Sequence, residues 1–215
     1  MANSQAIVGA VRRGLGCLSW VGAVIIVIAL VLRFIWFDMA LLDHNGMAPT
    51  LLRGERVLIN KRGEPELGAI AVCRHPTEDA WVVGRVAATE GMTIDSYGSE
   101  LRLDGEPVQF DRQGAMTFQN LDNDRKRPVV WGREHFGTKA HLIFLEDGGR
   151  HLVDETAVPE GKLYLLGDFR SYMGQDSRAY GVVDASTCRG TIVFRVTPAD
   201  GLESDIAHRY FQPVQ

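Results

Sequence analysis

The stretch 162-KLYLLGDFRSYMGQDSRAYGVVDASTCRGTIVFRV-196 decides the fold class. Its two ends, KLYLL (162–166) and TIVFRV (191–196), are short apolar runs of strand length, and the polar segment between them is punctuated by Gly167, Gly174 and Gly181. The same rhythm runs back through HLIFL (141–145), ELRL (100–103), WVVGRV (81–86), AIAVC (69–73) and RVLIN (56–60). Turn signals separate these runs at Tyr97-Gly98, Asp104-Gly105 and Asp147-Gly148-Gly149. Beyond residue 38 no segment sustains a helical period long enough to compete. The expectation is one all-β domain over residues 38–215, with antiparallel sheets curled into a small barrel. Residues 111–136 are polar and read as an irregular insertion or extended loop on that body.

The N-terminus follows a different rule. From Gly14 to Leu32, GLGCLSWVGAVIIVIALVL contains no charged residue. At about 1.5 Å per residue such a helix matches the hydrocarbon core of a bilayer. Residues 1–13 are expected to form a short cytoplasmic segment and residues 14–37 a transmembrane anchor. Arg12 and Arg13 precede the span, which by the positive-inside rule leaves the chain after it on the extracytoplasmic face of the inner membrane. Phe34, Trp36 and Phe37 suit the interfacial aromatic belt. A cleavable signal peptide has a shorter apolar region and a small-x-small site, and FIWFDMALLD offers none. The lipid bilayer is therefore the first expected partner.

Charge narrows the remaining partners. Residues 1–37 hold Arg12, Arg13 and Arg33 and no acid, which leaves 20 basic against 27 acidic side chains beyond them, a net of −7. Such a domain lacks the basic groups that replace phosphate counterions, so nucleic acid is excluded as a partner. Six histidines show no metal-site spacing, and neither a metal nor another cofactor is assigned. Three cysteines do not make a disulfide framework. Cys17 lies in the apolar span; Cys73 and Cys188 lie in strand-like runs, as small core residues or as a pair if the fold joins them.

Several collinear segments carry a resemblance: GMAPTLLRGERVLINK (46–61), LGAIAVCRHP (67–76), VVGRVAATEGMTI (82–94), LDGEPV (103–108) and the stretch after Val158. In order and spacing they resemble bacterial type I signal peptidases, and GDFRSYMGQDSRAYG (167–181) is similar to that family's GDN-x-x-x-S-x-DSR-x-x-G signature. The resemblance covers nearly all of residues 20–196. It implies a membrane-anchored, signal-peptidase-like β domain that cuts signal peptides after small residues, by a serine nucleophile and a lysine base. A lysine serves as base only when burial lowers its pKa from about 10.4. The oxyanion needs fixed donors, in this family a backbone amide and a serine hydroxyl.

Each of those positions is altered. Matching the family's S-G-S-M-x-P-T to Met47-Ala48-Pro49-Thr50 puts the nucleophile at Gly46 and the oxyanion hydroxyl at His44. Matching V-K-R-V to Val83-Gly84-Arg85-Val86 puts the base at Gly84. The signature has one extra residue here, and Gly174 stands where a serine would orient the lysine. Framework residues persist: Gly167 and Asp168 in the turn, Asp176 and Arg178 as the implied structural ion pair, and Ser177 between them. Met47, Pro49, Val82 and Val83 are the residues the resemblance assigns to a substrate groove.

Substitutes are few. Lys61 matches a framework lysine, Thr50 belongs to the Pro-Thr turn, and His44 is a general base by type without a nucleophile at the right place. Loss of nucleophile or base costs a serine protease on the order of 10⁴–10⁶ in kcat. The sequence thus points to a pseudoprotease that binds signal-peptide-like segments or partners a competent homologue. Two alternatives stand beside it: an active signal peptidase using residues such as His44, and a membrane-assembly protein whose groove is closed by a bulky residue such as Tyr172 or Met173. Each glycine also has a plain reading as a bulge or a close backbone approach.

Overall fold

The computed structural model describes residues 20–31, 33–98, 100–120, 125–146, 152–198, 210 and 212–214. The chain divides into two compact units, residues 1–38 and 39–215. In the first, residues 20–31 and 33–36 are helical. Apolar side chains of this helix face outward: Trp20, Ile25, Ile26 and Phe34 are each more than half exposed. Among the described residues no helix is long and apolar enough to cross a membrane. Most of the expected span before Trp20, with Arg12, Arg13 and Cys17, lies outside the described residues, as does Leu32.

The second unit is built of strands. In chain order they are β1 (Phe37–Leu41), β2 (Arg56–Asn60), β3 (Ile70–Arg74), β4 (Trp81–Thr89) and β5 (Thr93–Tyr97). There follow β6 (Glu100–Leu103), β7 (Glu106–Pro107), β8 (Phe110–Asn120), β9 (Arg125–Phe136) and β10 (Lys139–Glu146). The last are β11 (Thr156–Ala157), β12 (Lys162–Leu166), β13 (Val183–Asp184), β14 (Gly190–Thr197) and β15 (Gln212–Pro213). The main sheet runs β1-β2-β14-β3-β4-β12-β13, with β15 paired to β14. A second sheet runs β10-β9-β8 and a third β11-β5-β6-β7.

Two expectations need correction. The sheets are antiparallel wherever their register is defined, but among the described residues none closes into a barrel; each is open. The stretch expected as an irregular insertion over residues 111–136 is not irregular at 111–120 and 125–136 either. They form most of the two longest strands, β8 and β9, paired from Phe110↔Glu134 to Asn120↔Arg125. Their polar composition reflects an edge strand with little to cover it: β8 is exposed on both faces along most of its length.

Alternation along the main-sheet strands sorts side chains into separate cores. One face packs Leu42, Met47, Leu51, Val57, Ile59, Ile70, Val72 and Ile192. The other packs Ala71, Cys73, Val82, Val86, Leu163, Leu165 and Val183. On that second face Cys73 and Cys188, 115 residues apart, form a disulfide. A bridge closing so long a loop stabilises a domain by roughly 2–5 kcal/mol.

Candidate functional site

The turn after β1 is tied from inside. Asn45, fully buried, accepts the Arg53 N–H through Oδ1 at 3.0 Å, and its carbonyl accepts the Ala48 N–H at 3.0 Å. These bonds hold Gly46 against the loop that follows β12. The Gly46 carbonyl accepts the Phe169 N–H at 3.0 Å, and a Cβ on Gly167 would stand 2.6 Å from that carbonyl oxygen. Only glycine at 167 permits so close a crossing.

Space above Gly46 is already filled. A Cβ there would lie 2.9 Å from His44 Nδ1 and 3.5 Å from Tyr172 Cδ1. The two rings stack, with centroids 6.0 Å apart and planes 17° from parallel. The Gly46 N–H donates to His44 Nδ1 at 3.0 Å, so this amide is engaged by the imidazole. His44 Nε2 lies 3.9 Å from Asp43 Oδ1, whose side chain is 92% exposed, too open a contact to order the ring.

Gly84 is closed differently. A Cβ on it would meet Leu165 Cβ at 2.8 Å and the Leu166 carbonyl oxygen at 3.4 Å. A Cβ atom of a paired strand cannot rotate aside as an imidazole can. Gly174 sits apart from this crowding, at φ +91 with nothing within 4 Å of its Cβ position. Gly46, Gly84 and Gly167 therefore converge on the end of β12, and Gly174 does not join them.

The four groove residues do not line one surface. Met47 is 1% exposed in the core, with Val83 packed against the same cluster. Val82 is buried on the opposite face with Cys73. Pro49, half-buried, lines a small cleft with Thr50, Arg133 and Arg195. One edge remains of interest: β4 pairs with β3 from Trp81 to Arg85, whereas β12 covers it only from Arg85 onward. Among the described residues the second side of Trp81–Gly84 carries no strand partner.

Behind these positions lies a dense ionic framework. Arg85, 1% exposed, donates through Nε to Asp168 Oδ1 at 2.8 Å, through Nη2 to Oδ2 at 2.7 Å and through Nη1 to the Gly68 carbonyl at 2.7 Å. Thr50 Oγ1 donates to Asp168 Oδ2 at 2.5 Å. Burial pushes the Asp168 carboxyl up, but Arg85 outweighs it, and the group stays below its ordinary pKa. Glu134, also buried, is held low in the same way against its burial by Arg170, which grips it with both Nη groups, and by His141. Asp176 pairs with Arg178 through Nη2 at 2.5 Å, accepts the Gly167 N–H at 3.1 Å, and accepts the Arg178 N–H at 3.1 Å. Ser177 Oγ accepts the Leu165 N–H at 2.9 Å, which fixes the strand that crowds Gly84.

Only part of this framework is visible in the sequence. Arg170, Glu134 and His141 were not singled out, because cross-strand register, Glu134↔His141, makes them neighbours. The available signal was Arg85, a lone charge in the apolar run WVVGRVAA. Among the described residues no group of three or more His, Cys, Asp or Glu could hold a metal ion. Chemically, the arrangement supplies rigidity around Gly46 and Gly84 and no side chain at either.

Comparison with known proteins agrees on one family. The model of the family described as signal peptidase, peptidase S26 matches residues 17–197. Signal peptidase I of Bacillus licheniformis is 28% identical over 186 residues, covering 84% of this chain and 88% of that protein. Signal peptidase IB of Staphylococcus aureus (strain Mu50) is 27% identical, covering 84% and 90%. Probable signal peptidase I-1 of Synechocystis sp. is 24% identical, covering 82% and 79%.

Proposed function

Because the chain belongs to the S26 signal peptidase family, we propose that it is a membrane-anchored member without peptide-bond hydrolysis, which binds signal-peptide-like segments or partners an active peptidase. The observation that carries this reading is the contact at Gly84: the Cβ of any side chain there would stand 2.8 Å from Leu165 Cβ. The position of the lysine base is thus closed by a paired strand as well as lacking the residue. The capped Gly46 amide and the His44–Tyr172 stack support the same conclusion at the nucleophile position.

Binding is supported by the open side of β4 at Trp81–Gly84, where an extended peptide adds as a strand and main-chain groups supply affinity. Anchoring is supported by a helix that turns Ile25, Ile26 and Phe34 outward, a surface suited to lipid. The Cys73–Cys188 disulfide favours an oxidising, extracytoplasmic compartment for the β domain.

The test pairs two readouts on the full chain in detergent. Incubated with a preprotein carrying a small-x-small site, the protein is expected to release no mature product, while a photo-crosslinkable signal peptide attaches near Trp81–Gly84. Cleavage that disappears in His44→Ala would overturn the inactive reading. Absence of crosslinking at β4 would reject peptide binding and leave the partnering arm, tested by co-purification with a competent family member.

A further inference from the structure

The sheet β10-β9-β8 has one covered edge and one open edge. On the covered side the Phe144 N–H donates to the Asp168 carbonyl at 2.9 Å, and the Phe144 carbonyl accepts the Arg170 N–H at 2.9 Å. The Glu146 N–H donates to Ser171 Oγ at 2.7 Å. Main-chain groups alternate sides along a strand, so Phe144 and Glu146 turn away from β9, and their register partners Trp131 and Val129 turn toward β8. Opposite these stand Gly114 and Met116, which therefore spend their N–H and C=O groups on β9. Ala115 and Thr117 aim theirs at the far side, where among the described residues no strand lies. Pro128, opposite Thr117, has no N–H to give that pair, as this alternation requires.

Natural sheets guard such an edge with charge, proline or brevity. β8 is 11 residues long, and after an irregularity between Arg112 and Gly114 its run GAMTFQN (114–120) holds neither a charge nor a proline. Ala115, Met116 and Thr117 are exposed. One face of this run joins an apolar cluster: Met116 lies opposite buried Val129, and Phe118 packs with Val129, Phe144 and Phe169. Met116 stands at the rim of that cluster, 47% exposed.

The edge itself selects an occupant. An antiparallel copy of the strand, related by a two-fold axis at Met116, sets Ala115 opposite Thr117 of the second copy and Thr117 opposite its Ala115. All of these residues face outward, so each pair exchanges both of its N–H···O bonds. Met116 then meets its own copy across a non-hydrogen-bonded pair, where side chains come closest, and the two apolar faces lie on one side of the joined sheet. Self-pairing sets each residue opposite one of the same run, so charges within it would repel; the run has none, and Asp111 and Arg112 fall before it. A charged partner strand would find no counter-charge there.

We infer that the open edge of β8 is a self-association surface, on which a second copy of this chain adds its own β8 antiparallel about Met116. The inference does not rest on whether the chain hydrolyses or binds peptides.

The full chain in excess detergent micelles is followed by sedimentation velocity over a concentration series, and should pass from monomer to dimer. Met116→Lys, which sets like charges face to face, and Ala115→Pro, which removes an N–H that β9 does not use, should each weaken the dimer about tenfold or more. A second series carries Cys17→Ser, which leaves only the paired Cys73 and Cys188. In that background Met116→Cys should form a disulfide between copies on mild oxidation, and Gln113→Cys, off the axis on the same strand, should not. This crosslink decides the matter if Ala115→Pro or Met116→Lys does not fold. A monomer at every concentration, equal crosslinking by the two cysteine variants, or association untouched by Met116→Lys and Ala115→Pro would each overturn the inference. So would a monomer that takes an unrelated extended peptide at β8, which would assign the edge to that partner.

Discussion

Gly84 and Arg85 are neighbours on β4, as Gly167 and Asp168 are neighbours after β12, and within each pair the two residues serve opposite ends. The glycines let backbone and Cβ atoms approach to distances no side chain allows. The charged residues beside them are buried, bidentate and fully paired with each other. One region carries glycine at the positions that the resemblance assigns to nucleophile and base, while the other keeps a set of charges that is costly to bury and ruinous to halve. The difference teaches that the framework is held by folding and the site by chemistry. Under the proposed loss of hydrolysis, glycine positions are free to close, but half of an ion pair cannot be given up alone.

The largest effect should come from breaking the framework. Asp168→Ala strands the Arg85 guanidinium in the interior and should cost about 3–5 kcal/mol of unfolding free energy, read from urea midpoints. A loss under about 1 kcal/mol would show that the pair is dispensable and would remove the contrast between the two regions.

The glycines should split. Gly84→Ala forces a Cβ onto Leu165 and should destabilise by about 1–3 kcal/mol, as overpacking does. Gly46→Ala asks only that the His44 ring turn aside and should cost about 1 kcal/mol or less. Equal costs would mean that both positions are closed in the same way.

The smallest effect is a dependence on pH. The unfolded chain takes a proton on His141 near its ordinary pKa of about 6.5, and the folded chain, with that value lowered by burial, does not. Stability should therefore begin to fall as the pH drops through about 6.5. Asp168 and Glu134, whose folded values are lowered by their arginine partners, contribute stability that is present above their unfolded values near 4 and lost as the pH falls through the folded ones. His141→Phe should flatten the first decline and leave the second; a first decline that survives the substitution would point to another group.

Much of the fold was legible in the chain, and the legible part was the half-buried part. RVLIN, ELRL and KLYLL coincide with β2, β6 and β12, because strands with one face in a core write that face as alternation or an apolar run. β8 is hidden in the sequence because both of its faces are wet, and its pairing with β9 is set by backbone register, which composition does not record. At the site, the absence of side chains at 46 and 84 is plain in the sequence. That Gly84 is sealed by Leu165, and that Gly46 donates to His44, are facts of packing. The Cys73–Cys188 pair and the Glu134–His141 contact likewise depend on which strands lie side by side.

The strand order has a consequence for how this protein is made. β14, the last long strand of the chain, lies between β2 and β3 at the middle of the main sheet. A nascent chain that has reached residue 180 already holds β2 and β3 with their outer neighbours β1 and β4, yet the strand that joins the two halves has not been made. Assembly of the sheet must wait until residues 190–197 arrive, which makes folding non-local and slow. A truncation removing β14 would take out the middle of that sheet, leaving β2 and β3 as two exposed edges.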